Sequence, residues 1–222
     1  QYDAFGEALL IAESSEEQDY LMESYVLAKP ERLFSRLAAE AALRSHVLAA
    51  VASDYAHSEA GLLDFFSRTF YAYQYDPRGL QETVGSMLRF LSREDMIRTE
   101  GEYLHATELG RRVSELYIDP ESAVKLRDGM KMEVEHPTDF TYLHLVCQTS
   151  DMKPKLSPRR QETAEVEQFL NEHRDEFACR LPEEWEDSID YGQFLREVKT
   201  AMVLGSWIEE VSENDILERF DA

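Results

Sequence analysis

The sequence is poor in cysteine, proline and glycine, with two, seven and nine in 222 residues. Cys147 and Cys179 are too few for a disulfide-built fold, and they fit a reducing compartment. No glycine is followed by lysine, so the phosphate-cradling P-loop is absent. The G-x-S-x-G and H-E-x-x-H signatures are absent as well, which removes the common serine-hydrolase and zinc-protease readings. The longest apolar runs, 8–12 and 47–52, fall far short of the ~18 residues of a membrane span. No signal peptide is visible, so the expected location is the cytoplasm and no membrane partner is expected. Lysine is scarce too: six of the 23 basic residues are Lys and seventeen are Arg.

What the chain has in excess is acid. It carries 45 Asp and Glu, for a formal charge of −22. With 43% hydrophobic and 11% aromatic residues it folds around a core all the same. At roughly 150 residues per domain its length allows one large domain or two small ones. A net anion repels phosphates, and the whole-chain charge by itself excludes a nucleic-acid partner. The distribution changes that conclusion. Residues 1–60 hold 11 acids and 4 bases, and residues 162–222 hold 18 and 5. Residues 61–118 hold 9 and 7, and residues 119–161 hold 7 of each. The acidity belongs to the two ends, and partner choice follows local patches.

Periodicity gives the organisation. Residues 7–12 (EALLIA) read as one buried strand, followed by a helical stretch over 16–27. A lone strand has no sheet to join, so the chain is expected to begin partway through a larger domain. From 38 to 56, Leu43, Val47, Ala50 and Val51 recur at helical spacing. Ser58 caps a helix with Leu62, Leu63, Phe66 and Phe70 on one stripe. Asp76-Pro77 marks a turn. The next helix turns Leu80, Val84, Met87, Leu88 and Leu91 inward. Residues 96–99 and 103–106 flank Gly101 as a hairpin. Thr107 then caps a helix to about Ile118. Three helices followed by a hairpin is the order of a winged helix. Beyond Asp119-Pro120, helices are expected over 120–130, 139–148, 161–177, 189–204 and 213–220, with a loop at 150–158. This second region reads as a helical bundle.

Several constellations have a functional and a structural reading. His144 with Cys147, and His173 with Cys179, could pair as a zinc site, but the spacing matches no finger and packing is favoured. Glu183-Glu184 and Glu209-Glu210 are solvated faces in so acidic a chain. Phe65, Phe66, Phe70, Tyr71, Tyr73 and Tyr75 could stack bases, yet most sit at core spacing, with Tyr71 and Tyr75 the exceptions. The basic residues are the better lead. Arg89 and Arg93 share a face of the third helix, Arg98 lies at the wing, and Arg111 and Arg112 open the next helix. Lys153, Lys155, Arg159 and Arg160 cluster in the loop. Such residues contact phosphates or pair with nearby carboxylates.

Five runs carry a family resemblance: QYDAFGEALLIA, SRLAAEAALRSHVLAAVASDYAHSEAGLLDFFSRTFYAYQ, ATELGRRVSELYIDPESA, YLHLVCQTSDM and LREVKTAMVLGSWIEEVSENDILERFDA. Together they resemble the archaeal superfamily-two Hel/Hjm DNA repair helicases, which are related to the helicase part of polymerase theta. The resemblance implies a mainly α fold. It divides into a remnant of the second RecA-like domain (1–30), a winged helix (31–118) and an incomplete helical bundle (119–222). The implied activity is ATP-dependent 3′-to-5′ unwinding of forked DNA in replication-coupled repair, with this segment coupling the motor to the DNA-contacting helical domain. It places ATP and Mg in motor domains outside these residues and no cofactor or metal within them, and no catalytic residue of the family falls here. Implied partners are single-stranded or forked DNA, held weakly, the remaining helicase domains, and repair or replication proteins. The rival readings are a free-standing winged-helix regulator and an acidic protein-interaction module.

Overall fold

The computed structural model describes residues 6–75 and 77–220, so Asp76 of the expected Asp76-Pro77 turn lies outside the described residues. The chain is mainly helical and divides after Ser35 into two units.

In the first unit the strand expected over residues 7–12 is not formed, and Leu9, Leu10 and Ile11 are exposed. An extended segment becomes a strand only when another segment takes its N–H and C=O groups. Among the described residues the one ladder lies elsewhere, between two later strands. Helix α1 (Ser15–Leu21) does form, because Ser14 accepts the Glu17 N–H and the Glu17 carboxylate accepts the Glu13 N–H. It continues as a wider π-helical turn, Met22–Val26. Neither segment buries a residue.

The second unit opens with a 3-10 turn, Arg36–Ala38, and helix α2 (Glu40–Ala52), whose Leu43, Val47, Leu48 and Val51 face inward. Ser58 accepts the Gly61 N–H at 3.1 Å and starts α3 (Glu59–Ser67), which buries Leu62 and Phe66. The expected stripe does not reach Phe70. The chain straightens at Thr69, and Phe70 begins a separate short helix, α4 (Phe70–Gln74), where it is half exposed. Helix α5 (Pro77–Arg93) buries Leu80, Val84, Met87, Leu88 and Leu91, one face at helical spacing.

Strands β1 (Ile97–Glu100) and β2 (Tyr103–Ala106) pair antiparallel, with Ile97 opposite Ala106 and Glu100 opposite Tyr103. Gly101, at φ 65°, makes the tight reversal that a side chain would resist. Ile97 and Leu104 turn inward, and the Leu104 N–H donates to the His57 carbonyl at 2.8 Å, fastening the hairpin to the α2–α3 loop. Thr107 caps α6 (Glu108–Glu115), accepting the Gly110 N–H. A Cβ on Gly110 would lie 2.0 Å from the Met96 carbonyl oxygen, so only glycine lets α6 sit this close to the hairpin.

Five helices follow: α7 (Pro120–Gly129), α8 (Asp139–Cys147), α9 (Thr163–Glu172), α10 (Ser188–Ile208) and α11 (Glu213–Phe220). The helix expected over 161–177 is shorter. It stops at His173, whose ring stacks on Phe169 at 4.1 Å, and a 3-10 turn (Arg174–Glu176) then lets Phe177 swing into the interior. Two cores result. The first joins α2, α3, α5, the hairpin and α6, and reaches Ala123 on α7. The second joins α9, α10 and α11 around Phe177, Phe194, Val198 and Phe220, with Phe140 of α8 packed against it.

Candidate nucleic-acid interface

The basic residues singled out in the first half all stand on its surface. Arg89 and Arg93 lie one turn apart on α5, both exposed. The Arg89 guanidinium lies back along the helix beside Gly85. Arg89 borders a cleft of about 630 Å3 between the start of α3, the outer face of α5 and the hairpin, lined also by Ser58, Ser92, Thr99 and Gly101. Arg93 lies over the Phe90 ring at 5.4 Å and donates to Glu94 at 2.9 Å. Arg98 meets Asp95 and Arg112 meets Glu115, each at 3.4 Å and well exposed. Pairs of that kind hold for about 1 kcal/mol or less and yield to a phosphate. Arg89 and Arg111 form no ion pair with a described residue.

The loop cluster does not act as one group. Lys155 turns inward, and its ammonium donates to Glu197 of α10 at 2.7 Å in a pair that is nearly closed to water. The Leu156 N–H donates to the Thr200 hydroxyl at 2.9 Å, which ties the same stretch to α10. Lys153, Arg159 and Arg160 stay exposed on either side. Lys155 thus anchors the loop from inside, while Lys153, Arg159 and Arg160 lie at its surface.

The paired His and Cys residues serve packing. His144 is buried against Phe177 at 4.7 Å and Phe194 at 5.1 Å, with its Nε2 unpartnered. Burial, with Lys155 nearby, pushes its pKa down to about 3. Burial pushes the Cys147 and Cys179 thiols up to about 11, so both stay protonated at neutral pH. Among the described residues no group of three or more His, Cys, Asp and Glu is placed to hold a metal ion. Tyr71 and Tyr75 stack on each other at 4.9 Å, Tyr71 against the first core and Tyr75 partly exposed. Among the described residues no helix is long and apolar enough to cross a membrane.

Two arginines that composition did not flag hold the halves together. Arg44 of α2 is buried and grips Asp119 with two bonds of 2.9 Å, and it reaches Glu121 at 2.7 Å. Burial opposes its charge, but the carboxylates of Asp119 and Glu121 outweigh that and raise its pKa. Arg127 of α7 bonds the Glu94 carboxylate at 2.7 Å and the Glu94 carbonyl at 3.0 Å. Hydrogen bonds from Arg127 and Arg93 hold the Glu94 carboxyl below its usual range. The signal for Arg44 was present in its spacing, because it shares the inward stripe with Val47, Leu48 and Val51. Nothing local marks Arg127, whose partner lies 33 residues away.

Comparison with known proteins settles the relationship. Residues 140–222 match the family model described as archaeal helicase, domain 4. Over 223 residues the chain is 40% identical to the ATP-dependent DNA helicase Hel308 of Methanocella arvoryzae, a match covering 99% of this chain and 30% of that protein. The chain is a relative of the archaeal Hel308 helicases. It is 36% identical to the Hel308 of Pyrococcus horikoshii, with 100% of the chain and 30% of that protein covered. It is 38% identical to the Hel308 of Thermococcus kodakarensis, with 100% and 20% covered. The chain thus spans about a third or less of the relatives it matches.

Proposed function

We propose that this chain is a non-catalytic part of an ATP-dependent 3′-to-5′ DNA helicase that acts on forked DNA in replication-coupled repair. Residues 31–118 form a winged helix, a reading that α2, α3 and α5, the hairpin and the capped α6 support. Residues 119–222 form the helical domain that follows the DNA strand, and residues 1–30 complete a neighbouring RecA-like domain. ATP and Mg are held by motor domains outside these residues, and the protein works in the cytoplasm with repair or replication proteins. The winged helix couples the motor to the helical domain. Arg89, Arg93, Arg98, Arg111 and Arg112, with Lys153, Arg159 and Arg160, contact phosphates, while Lys155 supports the loop that carries the last three. The observation that carries this reading is the identity with Hel308 proteins along the whole chain.

The test is binding and turnover by the purified chain. It should bind forked or single-stranded DNA with a Kd above about 10⁻⁶ M, weaken steeply with salt, and hydrolyse no ATP. ATP turnover by a clean preparation, or binding indifferent to salt, would overturn the proposal.

A further inference from the structure

The two cores are joined through α7, and the joint is polar where most helix contacts are apolar. At the start of α7, Asp119 is a node. Its carboxylate accepts both bonds from Arg44 and one from the Ser150 hydroxyl at 2.9 Å, and its N–H donates to Asp151 at 2.9 Å. At the far end, Arg127 grips Glu94, in the turn that leaves α5 for β1. The first half is therefore held at both ends of one helix, by α2 and by the α5–β1 turn. On its other side α7 meets the second half. Ser122 and Ser150 share a hydrogen bond at 3.1 Å, Lys125 donates to the Gln148 carbonyl at 3.2 Å, and a Cβ on Gly129 would lie 2.3 Å from the Leu145 side chain.

We propose that α7 is a rigid connector whose angle is locked by two arginine clamps, Arg44–Asp119 and Arg127–Glu94, and that Arg44 and Arg127 are positioning residues for the helical domain. The physics favours an angular role. A buried bidentate guanidinium–carboxylate pair such as Arg44–Asp119 adds little net stability over apolar packing but tolerates only one geometry, and Arg127 adds a two-point grip on Glu94 through one carboxylate oxygen and the carbonyl. Apolar packing alone would let two helices slide, whereas clamps at opposite ends of one helix fix both position and rotation. In the helicase this keeps the exposed arginines of the first half in step with the bundle. That functional meaning rests on the proposed function, and the locking itself does not.

The test separates the two. Spin labels at Gln81→Cys on α5 and Glu218→Cys on α11, in a Cys179→Ser background with Cys147 left buried, report the distance across the joint. The unsubstituted chain should give one narrow distribution. Arg44→Met with Arg127→Met should broaden it about two-fold while helicity is kept, and Arg127→Lys should restore part of the sharpness. A distribution already broad without substitution, or unchanged in the folded double variant, overturns the locking. If the double variant does not fold, Arg127→Met alone decides by the same criterion, since that side chain is the more exposed of the two. In the full-length helicase, Arg127→Met should lower base pairs unwound per ATP several-fold with ATP turnover kept. Unchanged unwinding beside a broadened distance overturns the coupling role, while no ATP-driven unwinding by the unsubstituted helicase counts against the proposed function instead.

Discussion

The first core is mostly aliphatic and meets a buried cation, Arg44, at its edge, whereas the second is rich in phenylalanine and encloses charge. Lys199 lies inside the second half. Its ammonium donates to both Glu162 oxygens at 2.8 and 2.9 Å and to the Phe220 carbonyl at 2.8 Å, joining α10 to the end of α11. Lys155–Glu197 is a second such pair. In the first half, Arg89, Arg93, Arg98, Arg111 and Arg112 remain outside. Each half thus commits some cations to folding, Arg44 in the first and Lys155 and Lys199 in the second, and leaves others exposed, such as Arg89 and Arg111 in the first and Lys153 and Arg160 in the second. A basic residue's role depends on which acid it meets in the fold, and net charge by region does not foretell it.

The largest expected effect tests that contrast inside the second half. Lys199→Met leaves Glu162 with only the Arg159 N–H and the Phe220 carbonyl without its Lys199 donor, and it should cost about 3 kcal/mol. Urea denaturation reads this as a lower midpoint at unchanged slope. A loss under about 1 kcal/mol would mean that the enclosed charge is incidental and the two halves differ less than their side chains suggest.

Acid should sharpen the same contrast. His46, His57 and His105 of the first half are exposed, whereas His144 is buried with a pKa of about 3. The unfolded chain binds a proton at His144 below about pH 6.5, and the folded chain does not until about pH 3. This contribution to stability is therefore present above about pH 6.5 and lost as the pH falls toward 3. Between about pH 6.5 and 4.5 the loss amounts to about 2 kcal/mol. His144→Leu removes the unpartnered Nε2 and should flatten the stability profile over that window. An identical slope in the variant would assign the acid sensitivity to carboxylates instead.

A smaller effect lies at the joint. Tyr117 closes the turn between α6 and Asp119 with a left-handed backbone, φ 57°, and its side chain is 95% exposed. It carries the strain with no packing in return. Tyr117→Gly should raise stability by about 1 kcal/mol, seen as a higher melting temperature. No change would show that the left-handed backbone costs the tyrosine no more than the extra chain entropy that glycine loses on folding.

Much of this organisation was legible in the sequence for stated reasons. The inward faces of α2 and α5, the Ser58 and Thr107 caps and the Gly101 reversal are local, and local spacing reveals them. The strand over residues 7–12 failed because a strand is a property of a pair, and its apolar run carries no record of whether a partner is present. The end of α9 failed because the turn at His173 follows from where Phe177 must go. Among the candidate cations, spacing could not separate Lys155 from Lys153, since the acid that claims Lys155 lies 42 residues on. The Arg127 clamp is hidden for the same reason.

The smallest effect on folding carries the most information about DNA. Arg89 and Arg111 are exposed and form no ion pair with a described residue, so changing both to alanine should move stability by no more than about 0.5 kcal/mol. If they meet phosphates, the same change should weaken fork binding and reduce the salt slope by about 1 for each phosphate no longer held. Lys155→Ala should do the reverse, costing stability because Glu197 is left buried without its partner. Once that cost is allowed for, the salt slope should stay intact. The two variants together decide which of the candidate cations face DNA. Should Lys155→Ala flatten the slope and Arg89→Ala with Arg111→Ala leave it, the DNA-facing cations belong to the loop of the second half. The first half would then be a spacer whose arginines only keep its surface in water.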